Sequence, residues 1–444
     1  MKKTTLLGIL IFISIKSFAL WSPMGSGLPD RVRALCVHNG ELYAGGDFTE
    51  HIKKWDGISW VSVGGGLNGT AFPKVHALIS FNGELYAGGS FTVAGSASGN
   101  IAKFDGNNWV AVGDGLGGVI GAEVRCFAEF NGVLYAGGTF TQSGTSSLSK
   151  VAKLNSAGNA WSQTGGSAPP NCSAGVYAIT SYYNELYVGG QGSAPWMNKL
   201  NVSGTAWLNM PAGGLQTGVG VYALAAFKYP NSNSTTLFIG GDFTGLPSPT
   251  CCLYNLGLWG STMNIFSSGV TDQVNAFLST SDYIYAGGVF TCAGIHSSTN
   301  VAKRSTTIPW DTMGVTFNNA VNTFAVFNGS LVAGGQFTTA NGTTVDHIAI
   351  NDGVLVSDNS RENSQVNCRI YPNPASVQLS ILIDQLPAGT RSIEILDLLG
   401  KPIHEDVFSS VELKVDVSNL PKGIYFYVLR EEAVEVKKGK FIIE

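Results

Sequence analysis

The sequence predicts an all-β protein: a seven-bladed β-propeller of four-stranded blades, followed by a small immunoglobulin-like β-sandwich. Three observations favour this fold. The 444 residues include 57 glycines and 11% aromatic residues but only 13% charged residues, which suits short strands and tight turns better than amphipathic helices. A phrase of the form Leu-Tyr-Ala-Gly-Gly recurs along most of the chain. Beyond its last copy, strands of a different periodicity follow.

The first 19 residues are interpreted as a secretory signal peptide. Lys2 and Lys3 precede an apolar stretch from Leu6 to Ile15, and Ser17-Phe18-Ala19 supplies the small residues of a cleavage site. That stretch is too short to cross a bilayer, and no later segment has the roughly 18 apolar residues that would. We therefore expect a secreted or outer-surface protein, exported by way of the periplasm and without a transmembrane segment.

The recurring phrase defines seven repeats with a period of about 48 residues. Asn39-Gly40 and its counterparts predict a tight turn between strands one and two, and Asp56-Gly57 and its counterparts predict one between strands three and four. Four antiparallel strands per repeat make a propeller blade. The glycine pairs of the phrase end at Gly46, Gly89, Gly138, Gly190, Gly241, Gly288 and Gly335.

A tryptophan is assigned to the fourth strand of every repeat except the seventh, whose Val354-Leu355-Val356 lacks one. Leu20-Trp21-Ser22-Pro23 instead resembles a fourth strand without a blade, so residues 20–26 are predicted to complete blade seven and close the ring. The glycine pairs and tryptophans are interpreted as scaffold, since glycine permits close approach and tryptophan fills space between blades. The six tryptophans are Trp60, Trp109, Trp161, Trp207, Trp259 and Trp310.

A glycine pair, an aromatic-Asp-Gly turn and a tryptophan together resemble the kelch repeat over residues 20–357. The resemblance implies the fold but no activity, because propellers host unrelated functions. A galactose-oxidase-like copper site is disfavoured, since the six histidines fall at unequal repeat positions. A sialidase-type turn is disfavoured because Gly57 directly follows Asp56. No cofactor and no metal site is predicted.

A polar linker is expected at residues 358–367 and a second domain at 368–444. Its motifs resemble the type IX secretion (Por) C-terminal sorting domain, type A: Tyr371-Pro372-Asn373-Pro374, Ile393-Glu394-Ile395-Leu396-Asp397, Leu420-Pro421-Lys422-Gly423 and Lys437-Lys438-Gly439-Lys440. The resemblance implies that residues 368–444 engage the type IX machinery. Whether the sorting domain is removed, and whether the remaining protein is then released or attached to the cell surface, stays open. The plainer alternative is a terminal sandwich that binds a ligand.

A polar or aromatic residue follows the valine that begins each first strand. These residues are expected to ring one mouth of the channel and, with the loops there, to bind a glycan or an acidic group. The alternative is that they only solvate the entrance. The inferred ring contains no carboxylate, and Asp47 and Asp242, on non-adjacent blades, are not expected to form a catalytic pair. The ring residues are Arg33, His76, Arg125, Tyr177, Tyr222, Asn275 and Asn322.

The seven cysteines form neither a metal-binding motif nor a regular disulfide framework. Four are placed in loops of the same face, where a disulfide between two of them would brace it in an oxidising compartment. Cys36 and Cys126 are assigned to first strands as small core residues. The loop cysteines are Cys172, Cys251, Cys252 and Cys292.

Charge limits the partners. The net charge of -4 becomes -7 when residues 1–19 and their three lysines are removed, and no basic stripe is visible, so a nucleic-acid partner is not expected. The favoured function is a non-catalytic binding or adhesion protein with a glycan or surface-protein ligand. The alternative is an extracellular polysaccharide-active enzyme: a hydrolase, lyase or oxidase. A structural spacer is a third possibility, and the sequence leaves catalysis open.

Overall fold

The computed structural model describes residues 21–351 and 368–443, apart from 71, 94–98, 211–216, 230–234, 245–255, 260–262, 266–268, 295, 306–309, 372–374, 384–390, 398–400, 409, 411 and 432–433. The predicted signal peptide, the linker and Val354–Val356 lie outside these residues. Contacts divide the chain into two compact units, one up to Ser357 and one from Asp358 onward. In the described part, no helix is both long and apolar enough to span a membrane.

In its described residues, the first unit contains five four-stranded antiparallel sheets and one eight-stranded sheet. Together they give seven successive sets of four strands, here called blades one to seven. Blades four and five are joined by a pairing of Gln191 with Gly220. Blade one contains Val32–His38, Glu41–Gly46, Ile52–Trp55 and Trp60–Ser62; blade two contains Lys74–Phe81, Glu84–Ser90, Ile101–Phe104 and Trp109–Ala111; blade three contains Val124–Phe130, Val133–Gly138, Val151–Leu154 and Trp161–Gln163.

Blades four to seven repeat the same order of strands. Blade four contains Gly175–Tyr182, Glu185–Gln191, Met197–Leu200 and Trp207–Asn209; blade five contains Thr217–Lys228, Thr235–Thr244, Leu256–Trp259 and Met263–Ile265; blade six contains Val274–Ser279, Ile284–Gly288, Val301–Arg304 and Asp311–Thr312; blade seven contains Val321–Phe327, Ser330–Gly335, Ile348–Asn351 and the N-terminal Trp21–Pro23. The all-β prediction is confirmed.

Short elements lie in the connections between these strands. Two-stranded hairpins occupy the loops between strands two and three of blades three, six and seven, and a 3-10 turn at Pro170–Cys172 precedes blade four. The hairpins are Gln142–Ser143 with Ser146–Ser147, Cys292–Ala293 with His296–Ser297, and Thr339–Ala340 with Thr343–Thr344.

The first strands form a closed ring. Each contacts the first strand of the next blade, and the first strand of blade seven contacts that of blade one. The start of every first strand therefore lies at one end of this ring, as in a propeller.

The N-terminal strand closes the last blade as predicted. Trp21 pairs with Asn351 and Pro23 with Ala349, which makes Trp21–Pro23 the fourth strand of blade seven. The Trp21 side chain is 2% exposed and lies edge-on to Phe317, with 5.1 Å between the ring centroids. Closure therefore adds an aromatic core contact as well as backbone hydrogen bonds.

The tryptophans and glycine pairs act as scaffold between blades. The indole nitrogen of Trp109 donates to the Val63 carbonyl of the preceding blade at 3.0 Å, and Trp161 donates to Val112 at 3.1 Å. A Cβ placed on Gly45 would collide with Val75 of the next blade. One assignment is wrong: Trp259 ends the third strand of blade five, because the register pairs it with Leu237.

The second unit has two antiparallel sheets. One contains Cys368–Tyr371, Gln378–Ile383 and Glu412–Asp416; the other contains Arg391–Leu396, Pro402–Phe408, Gly423–Glu431 and Val434–Ile443. Leu379 and Ile381 of the first sheet share one buried core with Ile393, Ile395 and Phe441 of the second. This is the predicted small sandwich, and two of its strands, Cys368–Tyr371 and Pro402–Phe408, were not predicted from the sequence.

Candidate functional site

Each residue of the predicted ring lies in a β-bulge. In blade one, Val32 pairs with Gly46 and Ala34 with Gly45, so Arg33 between them has no opposite residue on the neighbouring strand. A bulge redirects the side chain of its extra residue. All seven residues are partly buried at the same end of the closed ring of first strands, and the His76 side chain is only 7% exposed. The same register shift occurs at His76, Arg125, Tyr177, Tyr222, Asn275 and Asn322.

Aromatic and amide groups link the ring residues of blades three to five. Tyr177 and Tyr222 meet edge-on with 5.7 Å between centroids, and the Arg125 guanidinium lies 4.8 Å from the Tyr177 centroid. Gln191 joins the two phenols, accepting from the Tyr177 hydroxyl at 3.0 Å and donating to the Tyr222 hydroxyl at 2.9 Å. Burial raises the pKa of Tyr222, and the charge of Asp242 adds to that effect.

Asparagines continue the ring towards blade one. The Asn275 amide donates to the Asn322 side-chain oxygen at 3.2 Å, and the Asn322 amide donates to the Val32 carbonyl at 3.1 Å. The structure therefore brings Arg125, Tyr177 and Tyr222 into contact, and Asn275 with Asn322.

The charged part of the ring is organised by Glu123. Its Oε2 lies 2.5 Å from Nη2 of Arg125 and 3.4 Å from Nε2 of His76. Burial would raise the pKa of Glu123, but the His76 contact and the charges of His76, Arg125 and Lys74 lower it to about 2. Burial lowers the pKa of His76, and Glu123 opposes that shift only in part. At neutral pH the carboxylate is ionised and the imidazole is neutral.

A second carboxylate, Asp47, lies beside Arg33. The guanidinium binds it in a forked arrangement, with Nε to Oδ1 at 2.5 Å and Nη2 to Oδ2 at 2.9 Å, and Nε of Arg31 is 3.7 Å from Oδ2. Burial would raise the pKa of Asp47, but the bond to Arg33 and the nearby positive charges lower it. Arg33 is therefore already paired with an anion.

None of the seven ring residues is a carboxylate, but two carboxylates that are not among them, Asp47 and Glu123, lie in contact with the ring. The antiparallel register places the residue after the glycine pair beside the start of strand one, which brings Asp47 and Gln191 to the ring. Glu123 enters from the position before the valine. Both positions are visible in the repeat, but Asp47 was considered only as a possible partner of Asp242, and the position before the valine was not considered.

The chemistry available at this mouth is mainly hydrogen bonding. Phenol, amide and guanidinium groups converge there, and both carboxylates are held by arginine. Within the described ranges, no cluster of three or more histidine, cysteine or acidic side chains could hold a metal ion. His76 with Glu123 is the arrangement closest to an acid–base pair.

One loop cysteine is oxidised. Cys292 is disulfide-bonded, whereas Cys172 is free, buried, and 3.2 Å from the Trp196 carbonyl oxygen. Cys172 therefore takes no part in the bracing expected of the loop cysteines, and Cys251 and Cys252 lie outside the described residues. Cys36 and Cys126 are free thiols in first strands, as expected.

Comparison with known proteins identifies the second unit. Residues 369–444 match the family described as the secretion system C-terminal sorting domain. This segment is a type IX sorting domain. It marks the protein as secreted or held on the outer surface, and it implies an interaction with the type IX machinery. The type A subclass remains a prediction.

The remaining comparisons are distant. No curated protein matches the chain. PorZ, a surface component of the type IX secretion system of Porphyromonas gingivalis, is 14% identical over 95% of this chain, with a TM-score of 0.44, and the match spans only 60% of PorZ. The designed protein Ika8 is 11% identical over 74% of this chain and 98% of its own, with a TM-score of 0.45. A family 43 arabinoxylan arabinofuranohydrolase from Bacillus subtilis is 11% identical over 95% of both chains, with a TM-score of 0.26.

Proposed function

We propose that this protein is a non-catalytic binding or adhesion protein, exported by the type IX route, that holds its ligand at the ringed mouth of the first unit. One observation supports the proposal: a bulge lies at the same position in all seven first strands, and its extra residue is polar or aromatic in each of them. A scaffold alone does not require a bulge at the same place in every blade, and bulges are enriched beside functional sites.

The electrostatics favour binding over catalysis. Glu123 and Asp47 are each paired with an arginine, and the low pKa of Glu123 leaves it unable to take a proton near neutrality. Two paired carboxylates of this kind fix the arginine side chains in place. Fixed donors lose little conformational entropy when a ligand arrives.

An extracellular polysaccharide-active enzyme is the second candidate. The observation that favours it is the 3.4 Å contact between His76 and Glu123, because a carboxylate beside a histidine can orient a general base. Arg125 competes for the same carboxylate oxygen at 2.5 Å. This competition is why we place catalysis second.

The test uses the whole chain without residues 1–19, applied to arrayed glycans, polysaccharides and outer-surface extracts, with reducing ends assayed in the supernatant. One variant carries Arg33→Ala, His76→Ala and Arg125→Ala. A milder one carries Tyr177→Phe and Tyr222→Phe, which removes only hydroxyls and preserves packing. We expect binding without new reducing ends. Binding should be weaker in both variants, and their melting temperatures should stay above the assay temperature, so that both are folded when binding is measured.

Two results would overturn the proposal. New reducing ends that vanish in His76→Ala would make the protein an enzyme. Unchanged binding in both variants would show that the ligand binds elsewhere than at the ring.

A further inference from the structure

A groove with a volume of about 1130 Å³ lies between blades two and three. Its walls come from the loop entering blade two, the loop entering blade three, and the loops between strands two and three of both blades. Lys74 and Glu123 line it where these loops meet the first strands, so the groove adjoins the ring without including any of the seven ring residues.

Apolar side chains stand exposed on two of these walls. Phe72, in the loop entering blade two, is 80% exposed, and Ile120, in the loop entering blade three, is fully exposed beside the partly exposed Val119. Large apolar groups gathered at one concavity mark an interaction site more reliably than the same groups scattered singly. Exposed polar groups accompany them: Thr70, Thr92, Asp114 and Thr145.

Part of the backbone that lines the groove is already paired, which argues against an extended peptide there. Gly117 and Gln142 exchange both backbone hydrogen bonds, at 2.8 and 3.0 Å, and the amide of Thr92 donates to the Asn68 carbonyl at 2.9 Å. A peptide that adds as a strand needs a free edge. A ligand in this groove would therefore be recognised mainly by side chains, which offer hydroxyl groups, a carboxylate and an aromatic ring.

The charge of the lining argues against an acidic polymer. Lys74 is the single cation among the described lining residues, and the lining also contains two carboxylates, Asp114 and Glu123. The exposed carboxylate of Asp114 would repel a polyanion, and Glu123 already balances the charge of Arg125. A neutral sugar offers hydroxyls to the polar groups and an apolar C–H face to Phe72.

We propose that this groove binds a neutral oligosaccharide chain, with a sugar ring stacked on Phe72 and its neighbours contacting Ile120 and the exposed threonines. The inference rests on the proposed binding function, because it names the ligand class and adds a subsite beside the ring. The volume is at the upper end of ordinary ligand sites, which suits several linked sugar rings rather than one.

The experiment titrates the whole chain without residues 1–19 with neutral cello-, xylo- and manno-oligosaccharides of increasing length, and with oligogalacturonate as the acidic probe. Variants are Phe72→Ala, Phe72→Trp and Ile120→Ser. Ile58→Ala and Val202→Ala are matched controls, because those two side chains are equally exposed but lie elsewhere. Because Phe72 is exposed, Phe72→Ala should leave the melting temperature unchanged.

We expect affinity for at least one neutral series to rise with chain length, to fall about tenfold in Phe72→Ala, and to be retained in Phe72→Trp and in both controls. Absence of binding to every neutral series, preference for oligogalacturonate, or indifference to Phe72→Ala would overturn the inference. Binding lost only in the ring variants would overturn it while leaving the proposed function standing. Capture of a surface protein through Phe72 would likewise replace the sugar ligand.

Discussion

His76 and Arg125 converge on the same oxygen of Glu123, at 3.4 and 2.5 Å respectively. The three residues come from blades two and three, so this contact joins two blades as well as fixing the mouth of the ring. Its dependence on one carboxylate makes it testable by pH.

Glu123→Gln should lower the free energy of unfolding at pH 7 by about 1–3 kcal/mol, because Arg125 keeps its charge in a partly buried place and loses its anionic partner. The folded pKa of Glu123 is about 2, below its ordinary value of 4.5. Its stabilisation is therefore present above pH 4.5 and is lost as the pH falls towards 2. Denaturant unfolding should show the two proteins converging over that window. Glu129→Gln, at an exposed position of the same blade, serves as the control, and equal stability at pH 7 would refute the ion-pair role.

The tryptophans that bridge blades should differ in what their indole nitrogen contributes. Trp161→Phe removes the hydrogen bond to the Val112 carbonyl, whereas Trp310 is equally buried and its nitrogen has no hydrogen-bond partner in the described part of the chain. We expect Trp161→Phe to cost about 1 kcal/mol more than Trp310→Phe. Thermal unfolding of the two variants measures this, and equal losses would mean that the bond contributes nothing.

Deleting residues 20–26 should destabilise the whole first unit. The deletion removes the pairing partner of Ile348–Asn351 and the buried Trp21 ring, and it leaves an open strand edge. We expect a lower melting temperature and concentration-dependent association by light scattering. Trp21→Ala keeps the backbone pairing and should fall between the deletion and the wild type. An unchanged melting temperature in the deletion would disprove closure.

Gly89→Ala tests whether the glycine pairs are needed for close approach. A Cβ on Gly89, in strand two, would clash with the Lys74 carbonyl oxygen of strand one. The clash is with backbone, so it could be relieved only by separating the two strands. We expect a loss of about 3 kcal/mol. Gly175→Ala is the matched control, because its Cβ would meet side chains rather than backbone: the Thr139 methyl group at 3.0 Å and the Tyr177 hydroxyl at 3.4 Å. Chemical denaturation that ranks the two variants equally would contradict this account.

The repeat made the ring residues predictable but not their partners. The valine that begins each first strand marks a fixed position, so Arg33 and its six counterparts were found by spacing alone. The bulge was not predictable, because the sequence does not show which residues of strands one and two lie opposite each other. The extra residue on strand one is therefore not recognisable. Without the bulge and the register, Asp47 could not be placed beside Arg33.

The groove was missed for a different reason. Phe72 and Ile120 lie in loops of unequal length that share no pattern with the other repeats, so periodicity says nothing about them. Their exposure becomes visible only once the loops are folded. Pro402–Phe408 was missed because one face of that strand is solvent-exposed and carries charged residues such as Glu405, which weakens its apolar alternation.

The pairing of Trp21 with Asn351 joins the N-terminal strand to the third strand of blade seven. A polypeptide interrupted anywhere before Ile348 leaves Trp21–Pro23 with nothing to pair with, and its ring stays open. The ring can therefore close only after all the blades have been synthesised, and the sorting domain follows them in the sequence.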